Sequence, residues 1–250
     1  MQDYIPYHCA VVIIHKLILH YLIRHDDFHF YWIQAQDAVR WIKRCGVTLG
    51  SHTSALDLGC GHGIFGAELM KHGCRVSFSD AKNVLLADVA SAPFHPVNID
   101  LDDLTTLGKY DLVICSNVFE HLTQPDRFLD SVHKLLSPQG KLYLSWTNWL
   151  SPWGGHEFSP FHYLGARRGY RLYHKFIGRI HNHRPFENLF PTYIGKVLKR
   201  IRNTSTLRVV RAAPRYYTEL SPLAHIPLLR EFLTWNCALL IERKTLAAVP

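Results

Sequence analysis

Residues 55–66 read Ala-Leu-Asp-Leu-Gly-Cys-Gly-His-Gly-Ile-Phe-Gly, the stretch that most narrows what this chain can fold into. Ala55 to Leu58 is a short apolar strand, broken at alternate positions by Gly59, Gly61 and Gly63. Ile64 to Lys71 then has the apolar spacing of a helix. A strand that turns through glycines into a helix start makes a ligand cradle. Glycine accepts positive φ and lets a ligand approach the backbone. The free N–H groups and the dipole of the helix start favour polar or anionic ligand groups. Asp57 stands two residues before the first glycine.

Downstream, strand and helix patterns alternate. Cys74 to Asp80 predicts a second strand ending in an acid, where a carboxylate can accept both hydroxyls of a ribose. Lys82 to Ala90 predicts a short helix, and Val97 to Asp100 a third strand that again closes on an acid. Tyr110 to Asn117 is a nearly continuous apolar run, suited to a central parallel strand. Phe128 to Leu136 forms one helix face, and Ser137 to Gly140 turns into a fifth strand, Lys141 to Trp146. Leu207 to Ala213 and Trp235 to Arg243 are the last two strands. Ahead of the cradle, Asp26 to Arg44 predicts a helix from Trp32, Ala35, Val39 and Ile42. The expected architecture is α/β: a doubly wound, seven-stranded, mostly parallel sheet with a basic lid inserted between strands five and six. Ligands bind at the carboxyl ends of such strands, where Asp57, Gly59, Gly61, Asp80, Asp100 and Asn117 fall.

Two cofactor classes use this geometry. Gly61-x-Gly63-x-x-Gly66 satisfies the dinucleotide fingerprint, with Asp80 at about the expected ~20-residue distance. The fuller string, acid-x-Gly-x-Gly-x-Gly from Asp57, resembles the first motif of class I S-adenosylmethionine (SAM) dependent methyltransferases. The Asp111-Leu-Val-Ile to Glu120-His-Leu stretch resembles that of small-molecule methyltransferases of type 11, as does Leu136-Ser-Pro-Gln-Gly-Lys-Leu. It separates the two readings, because a dinucleotide enzyme has no use for it. Trp153-Gly-Gly-His-Glu157 and His162-Tyr-Leu-Gly165 resemble strings of uncharacterised actinobacterial methyltransferases. The resemblance implies SAM as cofactor, held by Asp57, Gly59, Gly61, Gly63, Asp80 on the ribose, Asp100 and Leu101 beside the adenine, and Asn117. Asp102 stands near enough to compete with Asp100.

Residues 1–25 are expected to be an apolar helical extension, docked on the domain or lying in a membrane interface. Residues 26–250 are expected to form the methyltransferase domain, with the lid at about 149–205. The scattered cysteines lack any C-x-x-C pair, which suits reduced thiols in a cytosolic protein. The 17 histidines show no zinc spacing, so no metal is expected. Phe161 to Arg211 carries twelve Lys/Arg and one acid, a net +11 against +8 for the whole chain. Such a stretch is a solvated basic face or a seat for an anionic partner. The partner expected is a small-molecule or lipid-linked acceptor, presented at an anionic membrane surface on the cytoplasmic side. An RNA acceptor is the weaker alternative, since Asn117 lacks the Pro-Pro-aromatic continuation of base-targeting enzymes. A third is a SAM-binding fold without turnover. His156 and Glu157, in a glycine-rich loop after strand five, are the expected acceptor-side base pair. His121, His162 and Tyr163 are the next candidates.

Overall fold

The computed structural model describes residues 14–17, 26–178 and 182–244. Most of the expected N-terminal extension lies outside them; residues 14–17 are helical. Helix α1, Asp27–Arg44, is capped by Asp26, whose carboxylate accepts from the His29 N–H at 3.0 Å. Strand β1, Ser54–Leu58, runs through the glycines into α2, Ile64–Lys71, and β2, Arg75–Asp80, follows. Then come β3, Phe94–Pro96; β4, Tyr110–Ser116; α3, Pro125–Ser131; and β5, Leu136–Thr147. After the insert with α4, Ala166–Phe176, the chain forms α5, Ile194–Asn203, β6, Leu207–Pro214, α6, Leu229–Leu233, and β7, Asn236–Arg243. The seven strands lie in the order β3-β2-β1-β4-β5-β7-β6. The first five pair in parallel, and β7 is antiparallel to both β5 and β6.

The central strands are buried on both faces, which is why they read as unbroken apolar runs. Leu56, Val113 and Leu142 face a core completed by α3 and α5 through Phe128, Ile194, Val197 and Ile201. Ala55, Ile114 and Tyr143 face the opposite core, completed by α1 and α2 through Ala35, Val39, Ile42 and Leu69. The sheet is therefore doubly wound, and its carboxyl edge carries the cradle.

Three local expectations differ from the structure. The helix expected over 82–90 is a single tight turn, Ala87–Val89, because the Asn83 side chain takes the Leu85 N–H and ends regular winding. The third strand lies earlier than 97–100, with Phe94 to Pro96 registered against Phe78 to Asp80. Asn98 and Asp102 instead close a turn, since their side chains accept the N–H groups of Asp100 and Asn98. Helix α3 tightens into a 3-10 segment at Val132–Leu135, and β5 starts at Leu136, ahead of a register shift. The region 149–205 also divides. Helix α5 belongs to the sheet core, whereas Trp149, Phe158, Tyr173 and Leu189 form a small core of their own.

Candidate active site

The cradle is built by backbone and two acids. Gly59, Gly61 and Gly63 all have positive φ. Gly61 donates its N–H to Asp80 at 2.8 Å, and Ala81 donates to the other Asp80 oxygen at 2.7 Å. Asp57 is buried beneath the turn and accepts the Gly66 N–H at 2.8 Å. Burial pushes its carboxyl up to about 7, against the opposing hydrogen bond from Gly66. The glycines differ in purpose. A Cβ on Gly59 would stand 2.5 Å from Val118, and one on Gly63 2.7 Å from Leu85, so both are required by packing. A Cβ on Gly61 would meet nothing within 4 Å. Gly61 is thus the open floor of the cradle, and a cofactor that needs close backbone approach fits there.

Asp100 and Asn117 are each held by partners within the protein. Both Asp100 oxygens are engaged, accepting the N–H groups of Thr123 and Gln124 at 3.0 Å. That carboxylate braces the loop after β4, while Leu101 beside it is 68% exposed. Asn117, at the end of β4 with φ 56°, donates to Gln34 Oε1 at 2.8 Å and accepts from Arg215 at 2.9 Å. Arg215 is fully buried and lies over the ring of Phe65. This network ties α1, the tip of β4 and the end of β6 together.

Next to Asn117, a cavity of about 370 Å³ opens over the ends of β4 and β5. Tyr31, Tyr216, Trp153 and Trp235 supply aromatic wall; Glu120, His121, His156, Glu157 and His183 supply polar wall. His183 Nδ1 donates to both Glu157 oxygens at 2.8 Å. Burial alone would raise the Glu157 carboxyl, but this hydrogen bond and the His183 charge hold it below the usual range. His156 has φ 49°, and its ring stands 4.5 Å from His183 and 5.4 Å from His121. Burial, then the neighbouring His183 and His121, push its imidazole down to about 3.

The cavity thus gathers His156, Glu157 and His121, and leaves out the other two candidates. His162 is wholly buried, packs on Trp149 and donates its Nε2–H to the Ser151 carbonyl at 3.0 Å. Tyr163 is 47% exposed, and its hydroxyl donates to the Leu150 carbonyl. His183, Glu120, Gln34 and Arg215 escaped sequence reading. Glu120 sat in a quoted motif; the other three are separated in sequence from every motif they join.

Comparison with known proteins bears on this arrangement. A family model described as a methyltransferase domain matches residues 31–189. An uncharacterized methyltransferase of Mycobacteroides abscessus is 33% identical over 234 residues, covering 85% of this chain and 86% of that protein. One from Mycolicibacterium gilvum is 30% identical over 242 residues, covering 87% and 88%. Among solved structures, a TehB-like SAM-dependent methyltransferase from Corynebacterium glutamicum superposes with TM-score 0.53 at 17% identity, covering 83% of this chain and 88% of that one. A 1,6-didemethyltoxoflavin-N1-methyltransferase of Burkholderia thailandensis, with bound 1,6-didemethyltoxoflavin and S-adenosylhomocysteine, gives 0.52 at 14%, covering 96% and 92%. These two share the fold. By its matched domain and its mycobacterial relatives, the chain belongs to the methyltransferase-domain family, and it has the fold of SAM-dependent methyltransferases.

Proposed function

We propose that the chain methylates a small-molecule acceptor held in the cavity over β4 and β5. The observation that carries this reading is the cavity itself, walled by rings and imidazoles and set beside an open glycine cradle. When bound, SAM supplies an electrophilic methyl group on a sulfonium. Gly61 leaves the backbone open to the cofactor. Asp80 takes the ribose: each oxygen accepts one N–H and keeps a lone pair for a hydroxyl. Leu101 and the Asp100 turn would flank the adenine, and Asn117 would stand between cofactor and acceptor. Aligning the two in line contributes up to ~7–11 kcal/mol in favourable cases.

On the acceptor side, Glu157 fixes the His183 ring so that Nε2 presents its lone pair. His121, His156 and His183 form the polar wall that faces the acceptor. His156, with its weak basicity, positions more than it deprotonates. A lipid-linked acceptor is the second reading. It is favoured by α4, where Arg167, Arg168, Arg171 and Lys175 stand near exposed Tyr163, Leu164, Phe176 and Ile177. Among the described residues no helix is long and apolar enough to cross a membrane. Calorimetry tests the central reading. SAM and S-adenosylhomocysteine should bind and NAD should not; NAD binding with no response to either SAM species overturns it.

A further inference from the structure

His121, His156 and His183 come from three separate segments: the turn after β4, the turn His156–Phe158 and the stretch following α4. One ring nitrogen of each lies within 4.8 Å of one from each of the others. Their partners decide which nitrogens are free. The Asn188 carbonyl only accepts, so it takes the Nδ1–H of His121, at 2.6 Å. The Glu157 carboxylate takes the Nδ1–H of His183. In the neutral form, with Nδ1 carrying that proton, both rings have their lone pair on Nε2. His156 Nδ1 is buried and has no hydrogen-bond partner. Binding an acceptor proton requires one lone pair. Three imidazoles gathered this closely suit a cation.

We propose that His121, His156 and His183 bind a divalent transition-metal ion, zinc in the first instance, with a fourth position open to the acceptor cavity. Three protein ligands and one open position is the make-up of catalytic zinc sites. Imidazoles that ligate zinc donate their other N–H to a carboxylate or a carbonyl. Glu157 and Asn188 already hold His183 and His121 in that way. His156 adopts its left-handed φ of 49° at the same point, a strained backbone of the kind found at functional sites. With Zn–N bonds of about 2.0–2.1 Å, the nitrogens of a tetrahedral site lie about 3.3 Å apart, so binding draws the three rings inward. All three line the cavity.

The ion site stands on this geometry alone; the use of its open position rests on the methyl-transfer reading. A zinc ion there takes an acceptor hydroxyl oxygen and lowers its pKa. The hydroxyl releases its proton to water, the oxygen pair bonds to the methyl carbon, and the carbon–sulfur pair returns to sulfur. The acceptor class is then an alcohol, phenol or enol rather than an amine.

The test uses the full chain, stripped with chelator and reloaded with Zn²⁺. Elemental analysis should find one equivalent, and X-ray absorption three nitrogen donors at about 2.0–2.1 Å. His156→Ala and His183→Ala should lose the equivalent. Glu157→Gln should weaken zinc affinity ~10–100-fold while keeping the stoichiometry. Should the histidine variants misfold, absorption on the unaltered protein decides. No stoichiometric zinc, sulfur-dominated scattering, or an equivalent that survives both histidine substitutions overturns the site. S-adenosylhomocysteine calorimetry on the same samples separates the two readings. Zinc without nucleoside binding sinks methyl transfer and leaves the ion site, and the reverse sinks the ion site alone.

Discussion

Gly61 and Gly66 stand five residues apart and need glycine for opposite reasons. A Cβ on Gly66 would lie 2.2 Å from the Phe78 ring, whereas one on Gly61 would enter open space. Gly66→Ala is expected to cost about 1–3 kcal/mol of stability by overpacking, read by thermal denaturation. Gly61→Val should abolish S-adenosylhomocysteine binding at a fold cost of only about 1–2 kcal/mol for its left-handed backbone. Asp80→Ala should weaken binding by removing charge-assisted hydrogen bonds worth about 1.5–3 kcal/mol each; unchanged calorimetry would remove Asp80 from the ribose. Asp57 carries a pH dependence. In the fold its carboxyl keeps the proton up to about pH 7, but unfolded it titrates near the ordinary aspartate value of 3.8. Between those values the folded state binds more protons, so this group makes stability fall as pH rises, levelling above 7. Asp57→Asn should be the more stable protein at pH 8, and the gap should close at pH 4. Denaturant titration at both pH values checks it.

At the scale of elements, α4 is the segment whose chemistry the sheet does not explain. It buries Gly169 and Tyr173 against the 161–164 turn; a Cβ on Gly169 would sit 2.0 Å from the Phe161 carbonyl oxygen. That contact holds the helix tightly and leaves its arginines outward. Arg167 lies over the Phe186 ring, 5.0 Å from its centroid. Near a surface of anionic lipid each basic residue contributes about 1 kcal/mol. Replacing Arg167, Arg168 and Arg171 together by Glu should abolish co-flotation with anionic liposomes at low salt and leave the melting of the sheet unchanged. A wild-type protein that ignores anionic liposomes but binds RNA tightly would overturn the membrane reading. One that binds neither makes α4 a solvated lid over a soluble acceptor.

For the whole molecule, the tie that matters is Arg215. It is buried at the end of β6, donates to Asn117 at 2.9 Å and lies over Phe65 and Tyr216. It thereby joins the antiparallel hairpin to the tip of β4 and the start of the cradle helix. Asp37 lies close enough to feel its charge, yet burial still pushes that carboxyl up to about 6. Arg215→Met should lower stability by about 1.5–3 kcal/mol, since it leaves the Asn117 amide short of its charged partner. It should also loosen cofactor and acceptor binding together if Asn117, as proposed, stands between the two. Paired melting and calorimetry decide; a fall in stability with both affinities intact would confine Arg215 to a structural role.

The cradle and the parallel order of the sheet were legible from residues 55–146, because strand, glycine turn and helix are local patterns with local causes. The last two strands were legible as apolar runs, but their antiparallel pairing, with β7 registered against β5 over Lys141 to Thr147, is decided across a long connection. Side-chain competition with the backbone was harder to see. Asn83, Asn98 and Asp102 bind nearby N–H groups, which shortened a helix and moved a strand, and propensity alone does not reveal such bonds. The wall of the cavity was least legible. His121, His156 and His183 are 35 and 27 residues apart, and Gln34 meets Asn117 across 83. Spacing motifs record only ligands that share an element. These side chains share none, and it is the packing of the insert over the ends of β4 and β5 that brings them to one wall.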